Sequence, residues 1–111
     1  MKLPVMSKRA LALLAFVASP TLCFAQADVA EGRQIFVKGA GPLPACALCH
    51  ALKDAGSTGA IGPDLDEMRP DAKRVETVLR NGMGPMPAFG TALSDAQIQA
   101  VVRYVVNSTN H

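Results

Sequence analysis

The sequence predicts an all-α protein of three to four helices with no significant β-sheet. Two stretches, at 71–82 and from 94 onward, place apolar residues at helical spacing behind a residue that can cap a helix. The segments between the helical stretches are rich in glycine and proline, which interrupt helices and strands alike. No pair of strand-like runs occurs, and 111 residues suffice for one small domain.

Residues 1–27 have the pattern of a secretory signal peptide. A basic start at 2–9 precedes a short apolar run at 10–18, and Ala25-Gln26-Ala27 offers the small side chains that a signal peptidase requires. The apolar run is shorter than the roughly 20 residues that a transmembrane helix needs. We therefore expect cleavage after Ala27, with Ala25 as the alternative, and a mature periplasmic domain at 28–111 without a membrane span.

Export changes both the charge and the cysteine count of the domain. The mature chain keeps nine acidic and eight basic residues, and no basic stripe remains that would indicate nucleic acid binding. Cys23 is removed, which leaves Cys46 and Cys49 in an oxidising compartment. A bridge between these two would close a tiny loop and add little stability. So small a domain would gain its missing core from a large apolar cofactor.

The first helix is predicted over about 28–37. Asp28 can cap it, and Val29, Gly32 and Phe36 fall on one side. Glycines and prolines after this helix exclude regular structure, and a short helical turn then carries the cysteine pair.

Residues 53–70 are predicted to be mostly irregular, and wrapping around a cofactor would explain so long a loop in a compact domain. A second helix follows its capping residue Asp71 and ends at a glycine. The segment 83–90 holds two methionines among glycines and prolines, so it is predicted to be a rigid loop. The last helix begins at Ser94, which can form a capping box with Gln97.

Cys46, Cys49 and His50 form a C-x-x-C-H motif in the stretch ACALCH. Two thiols three residues apart on one helical turn face the same way, so each can form a thioether with one vinyl group of a porphyrin. The next residue then presents its imidazole to the iron. The motif therefore favours one haem c, bound covalently through both cysteines, with His50 as the proximal ligand.

Two other chemistries use a C-x-x-C pair, a structural zinc site and a redox disulfide. A zinc site needs four ligands in a tetrahedron. The mature chain offers the three motif residues and the terminal His111, and the adjacent Cys49 and His50 fit one tetrahedron poorly. A thioredoxin-like pair accompanies a β-α-β pattern, and no predicted strand precedes Cys46. The export signal and the methionine-rich loop downstream favour haem over both alternatives.

On these motifs the mature chain resembles the class I mono-haem c-type cytochromes over nearly its whole length. EGRQIF is similar to the family's first helix, ACALCH to its haem motif and IGPDL to its Gly-Pro-x-Leu loop. NGMGPMPAF is similar to its methionine-ligand loop, and LSDAQIQAVVRYVV to its terminal helix. The resemblance implies the small cytochrome c fold, with helices wrapped around one haem and the first and last helices crossing where Gly32 meets Tyr104.

The resemblance also implies further site residues. It assigns the second axial ligand of the iron to Met86, with Met83 on the same loop as its competitor. The carbonyl of Pro63 would accept a hydrogen bond from the imidazole of His50 and fix its orientation. The predicted metal ligands are therefore His50 and Met86, and no catalytic residue is predicted. Two apolar side chains would line the haem pocket: Leu65 and Phe89.

The implied function is electron transfer rather than catalysis. With both axial positions filled there is no open site for a substrate, so the iron would cycle between Fe(II) and Fe(III). The partners would be redox proteins, a dehydrogenase as donor or an oxidase as acceptor. The alternative is a dedicated cytochrome subunit or direct acceptor of a periplasmic dehydrogenase, for example a sulfite dehydrogenase. A haem enzyme or a gas-binding sensor would require a labile sixth ligand, against which the methionine loop argues.

Overall fold

The computed structural model describes residues 2–4, 14–16 and 21–111 and, within the first helix, the side chains from residue 28 onward. Lys8, Arg9 and most of the apolar run of the predicted signal peptide lie outside the described residues. The described part contains helices α1 (Thr21–Lys38), α2 (Leu65–Met68), α3 (Ala72–Asn81) and α4 (Asp95–Thr109), strands β1 (Ala51–Leu52) and β2 (Ser57–Thr58), and short 3-10 turns at Cys46–Leu48 and Lys53–Ala55.

The predicted all-α class is confirmed, with one small addition. Strands β1 and β2 pair in antiparallel fashion, Ala51 opposite Thr58 and Leu52 opposite Ser57, and β2 lies within the segment 53–70 that the sequence predicts to be mostly irregular. Gly56 adopts a φ of 66° in the connection between them. Two residues are too few to show the alternation by which a strand is predicted, so the pair could not be read from the sequence.

The first helix starts earlier than predicted. It begins at Thr21 rather than after Asp28, because the intervening residues are mostly good helix formers that extend it. Asp28 is therefore not its cap in this chain. Its carboxylate lies 3.7 Å from the guanidinium of Arg103, and the ion pair joins α1 to α4.

Helices α1 and α4 cross in close contact at Gly32. A side chain at this position would overlap with the backbone carbonyl of Ala100 and approach the Cβ of Tyr104 to 2.8 Å. One turn later, the rings of Phe36 and Tyr104 meet edge to face, with their centroids 5.6 Å apart. Both aromatic side chains are almost completely buried. The predicted crossing of the first and last helices at Gly32 is thus present.

A buried tyrosine connects α4 to the segment that follows the cysteine motif. The hydroxyl of Tyr104 donates a hydrogen bond of 2.7 Å to the Asp54 carboxylate. Arg33 of α1 lies 3.7 Å from the same carboxylate. Burial of the ring raises the pKa of the Tyr104 phenol well above its ordinary value, and the hydrogen bond to Asp54 is the second largest cause of this increase.

The predicted caps of α3 and α4 are confirmed. Asp71 accepts a hydrogen bond of 2.8 Å from the backbone N–H of Arg74, and Ser94 and Gln97 make both bonds of a capping box. Arg80 in the last turn of α3 contacts Glu76 at 2.9 Å and also Asp95 at 2.8 Å, at the start of α4. The loop with the methionines is therefore held at both ends by helices that are tied to each other.

Among the described residues, no helix combines the length and the apolar character required to cross a membrane.

Replacing Gly32 by alanine should destabilise the haem-bound protein strongly. The new methyl group would force α1 away from α4, and we expect a loss of about 3 kcal/mol, at the upper end of what overpacking costs. Denaturant unfolding monitored by circular dichroism measures it. Gln34→Ala on the exposed side of α1 is the matched control and should stay within about 0.5 kcal/mol of the parent. Equal stability of the two variants would contradict the close crossing.

Tyr104 is the only tyrosine of the chain, so its ionisation can be isolated. Its pKa is higher in the folded than in the unfolded protein, so its stabilising contribution is complete below about pH 10 and is lost as the pH rises further. We expect the free energy of unfolding to fall above pH 10 more steeply in the parent than in Tyr104→Phe. Unfolding measured at several pH values tests this, and parallel pH profiles would contradict it.

Candidate functional site

An apolar cavity of about 260 Å³ opens beside the cysteine turn. Its walls come from the cysteine turn, the loop before α2, helix α3 and the methionine loop. The structure brings all seven predicted site residues to this one cavity: Cys46, Cys49, His50, Pro63, Leu65, Met86 and Phe89. Leu65 and Phe89 are buried, with 8% and 3% of their surfaces exposed, so both also belong to the core that surrounds the cavity.

The C-x-x-C-H motif forms a tight turn. The carbonyl of Cys46 accepts hydrogen bonds from the N–H groups of Cys49 at 3.1 Å and His50 at 2.9 Å. This local folding places both thiols and the imidazole along one wall of the cavity. No disulfide joins Cys46 and Cys49.

Burial does not favour a thiolate at Cys46. Burial raises the pKa of Cys46 to about 11, and a charge on Cys49 would raise it as well, while a backbone hydrogen bond acts in the opposite direction. Disulfide exchange and zinc binding both use the thiolate. In addition, no group of three or more His, Cys, Asp or Glu side chains in the described part of the chain could hold a metal ion. Neither alternative to haem finds support in this geometry.

The imidazole of His50 is fixed from one side by the loop before α2. Its Nδ1 lies 2.7 Å from the carbonyl oxygen of Pro63, which can only accept, so Nδ1–H donates and Nε2 is left for another partner. Gly62 packs against the ring, because a Cβ there would lie 2.5 Å from Cε1 of His50. The N–H of Gly62 also donates to the carbonyl of Cys49 at 2.8 Å.

The methionine loop closes on itself and on α3. Gly82 leaves the helix with a φ of 71°, and Met83 and Met86 exchange two backbone hydrogen bonds of 3.1 and 2.9 Å across a tight turn. The N–H of Phe89 then donates to the carbonyl of Leu79 at 2.7 Å. Met86 packs against the hydrophobic core, whereas 62% of the surface of Met83 is exposed.

Two further residues line the site that the sequence does not predict, Gly62 and Arg74. The Gly-Pro-x-Leu motif indicates a role for Pro63. The contact of Gly62 with the imidazole could not be predicted, because it forms only when two loops that are separate in sequence meet in the fold. Arg74, at the start of α3, also lines the cavity. No sequence signal distinguishes it from an ordinary solvated arginine of a helix face.

The residues of the cavity fit a covalently bound haem. The walls are almost entirely apolar, as the porphyrin requires, and two cysteines that no disulfide joins lie three residues apart along them. An imidazole with its Nδ1 already engaged and a thioether are the ligand types found on haem iron in c-type cytochromes. The fold and the site together define a c-type cytochrome.

Comparisons with known proteins agree with the classification as a c-type cytochrome. Residues 27–105 match the sequence model of the family described as cytochrome C oxidase, cbb3-type, subunit III. Cytochrome c6 of Picosynechococcus sp. is 35% identical over 92% of each chain, and cytochrome c6 of Leptolyngbya boryana is 36% identical over 73% of this chain and 93% of its own. The crystal structure of the c-type cytochrome SorU from Sinorhizobium meliloti shares 48% identity with a TM-score of 0.69, over 76% of this chain and 93% of SorU.

The chain therefore belongs to the cytochrome c family, as a class I mono-haem c-type cytochrome. It is an electron-transfer protein and carries one haem c, attached covalently through Cys46 and Cys49.

Replacing Gly62 by alanine should disturb the iron site while the side chain of His50, the predicted ligand, is itself unchanged. The methyl group would push on the His50 ring, so we expect high-spin iron in the absorption spectrum and a destabilisation of about 2 kcal/mol. Ala60→Ser, two residues away and exposed, is the control and should leave the spectrum unchanged. A parent-like spectrum of Gly62→Ala would show that the imidazole does not depend on this contact.

Proposed function

We propose that this cytochrome is an exported electron carrier whose iron is held by His50 and Met86 and which has no substrate site. The observation that carries the proposal is the convergence of an oriented imidazole, a half-buried thioether and the two attachment thiols on a single apolar cavity. When bound, the haem supplies the chemistry by cycling between Fe(II) and Fe(III). The protein's own residues hold it, exclude water and fix the two ligands.

His50 is suited to the proximal position by its hydrogen bond to Pro63. A histidine that donates its other ring N–H to a carbonyl has a fixed tautomer and a more basic ligating nitrogen. The 2.7 Å contact from Nδ1 to the Pro63 oxygen provides this, and Gly62 leaves space for the ring. The Nε2 atom is then the one available to iron.

Met86 is favoured over Met83 as the second ligand by burial. Met86 packs against the hydrophobic core, and Pro87 follows it and restricts the backbone. Met83 lies on the same turn but is mostly exposed. A thioether in this position raises the reduction potential relative to other ligand sets.

The remaining pocket residues keep the site closed. Leu65 and Phe89 contribute buried apolar surface, and Phe89 is fixed by its backbone hydrogen bond to Leu79. With a histidine and a methionine both engaged, no iron position is left for a substrate or a gas. This supports a carrier and argues against a haem enzyme or a sensor.

Export to the periplasm is part of the proposal. It is supported by the basic start, the apolar run and the Ala-Gln-Ala site of residues 1–27, with 28–111 as the mature domain. Redox proteins are the proposed partners. They would exchange electrons at the mouth of the cavity, where the lining residues Ile61 and Met83 expose apolar side chains.

A second candidate function is that of a dedicated acceptor for one periplasmic dehydrogenase. It is favoured by the exposure of two apolar side chains that line the cavity, Ile61 at 75% and Met83 at 62%. Exposed apolar patches on otherwise polar surfaces mark interaction sites. Co-purification with one enzyme in stoichiometric amounts would favour the dedicated acceptor, and exchange with several unrelated partners the free carrier.

The variants Met86→Leu and Met83→Leu test the iron ligand. Both replace a thioether by an apolar side chain of similar size, which limits the loss of packing. We expect Met86→Leu to lose the near-infrared Met–iron band completely, to bind carbon monoxide rapidly when reduced, and to have a lower reduction potential. Met83→Leu should keep the band and remain closed to carbon monoxide.

The reverse pattern, with the band lost in Met83→Leu alone, would contradict the assignment of Met86. Rapid binding of carbon monoxide by the reduced parent protein would contradict the closed site and with it the carrier function.

A further inference from the structure

Two segments lie side by side next to the haem cavity, the stretch 49–53 with the proximal histidine and the stretch 62–66 with its carbonyl partner. Three hydrogen bonds join them: from the Gly62 N–H to the Cys49 carbonyl at 2.8 Å, from the His50 imidazole to the Pro63 carbonyl at 2.7 Å, and from the Lys53 N–H to the Asp66 carboxylate at 2.8 Å. Each bond joins residues that are 13 apart in the chain, so the two segments run in the same direction. The bond that orients the imidazole is therefore the middle one of three.

The third bond is made by a side chain. Lys53 begins the 3-10 turn Lys53–Ala55, and the first N–H of such a turn has no partner within it. The carboxylate of Asp66 supplies that partner, and a hydrogen bond to an ionised acceptor is stronger than one between neutral groups. Asp66 is half-buried and lies in the first turn of α2. It therefore holds the end of the second segment that lies away from Gly62.

The donor of the third bond is itself held in place. Asp54, the residue after this donor, accepts a hydrogen bond of 2.7 Å from the hydroxyl of Tyr104 in α4. The hydroxyl of Ser57 in β2 donates to the backbone carbonyl of His50 at 2.9 Å. The stretch with the histidine is thus fixed to α4 and to β2. The third bond then attaches the stretch with the proline carbonyl to this fixed stretch.

We propose that Asp66 is a positioning residue for the proximal ligand. By holding the second segment against the first, it keeps the carbonyl of Pro63 on Nδ1 of His50. A histidine with a well-made bond at this nitrogen has a more basic ligating nitrogen, which stabilises Fe(III) and lowers the reduction potential. Asp66 does not line the cavity. The inference rests on the proposed ligation by His50 and extends it to a residue outside the haem pocket.

The test compares three variants of the haem-bound protein. Asp66→Ala removes both the acceptor and the charge, and it should fold, since alanine favours helices and the backbone N–H of residue 66 keeps its bond to Asp64. Asp66→Asn removes the charge but keeps an oxygen that can accept from Lys53. Glu67→Ala is the matched control, because Glu67 is the next residue of α2, is exposed and forms no ion pair among the described residues.

Hydrogen exchange of the Lys53 amide and of the His50 Nδ1–H is measured by NMR in the reduced, isotope-labelled protein, together with the reduction potential. In Asp66→Ala we expect both groups to exchange about tenfold faster, because the lost bond to a charged group lets the segments separate more often. The potential should rise. Asp66→Asn should exchange nearly as slowly as the parent, and it and Glu67→Ala should show only the smaller rise that a lost negative charge causes. All variants should keep the low-spin spectrum and the Met–iron band.

Faster exchange of Lys53 alone in Asp66→Ala would overturn the proposal, because Asp66 would then stabilise its turn without positioning the imidazole. An equal rise in potential in all three variants would overturn it as well, since the lost charge alone would explain that result. Failure of the proposed ligation has a different signature. The His50 ring signals of the reduced parent would then lack the large upfield shift that a haem imposes on an imidazole bound to its iron.

Discussion

The fold depends on a core that is built around a cavity. Five side chains, Phe36, Leu65, Leu79, Phe89 and Val105, belong to the buried hydrophobic cluster and line the cavity as well. A domain of this size rarely obtains more than about 3–5 kcal/mol from its core alone. The covalent haem provides the apolar surface that packs against these residues inside the cavity. The cofactor is therefore a structural component of the fold, and the fold positions the cofactor in return.

The helices and the irregular segments have different structural roles. Helices α1 and α4 form a frame through the close approach at Gly32 and the ring contact of Phe36 with Tyr104. The hydrogen bond from Tyr104 to Asp54 then ties this frame to the chain just beyond the cysteine turn. Since this contact spans 50 residues of sequence, it is the kind of link that lets a long loop follow a cofactor and still be held in place.

Features that depend on neighbouring residues could be predicted from the sequence, and features that depend on distant segments could not. The caps at Asp71 and Ser94 are local and were correctly predicted. Helix α2 was missed because a single turn is too short to show periodicity, although its cap Asp64 is visible in the sequence. The start of α1 was wrong because a capping aspartate also fits inside a helix when good helix formers precede it.

The same distinction holds for the site. The spacing of Cys46, Cys49 and His50 is a local motif with a chemical meaning, so it could be interpreted directly. The assignments of Pro63 and Met86 came from a resemblance, and the structure adds distances and burial that support them as proposals. The position of Arg74 at the cavity could not be predicted, because a helix face with one arginine has no periodicity or motif that indicates where the cavity lies.

The way the two proposed ligands are held suits electron transfer. His50 is braced by Pro63 and Gly62 from a segment more than ten residues away, and the loop of Met86 is closed by the bond from Phe89 to Leu79. Neither side chain relies on a free segment of chain for its position. When the charge on the iron changes by one, the two proposed ligands therefore have little freedom to move. Because the barrier to electron transfer rises with the movement that accompanies it, the rigidity of these two short segments is the property on which a carrier of this kind depends.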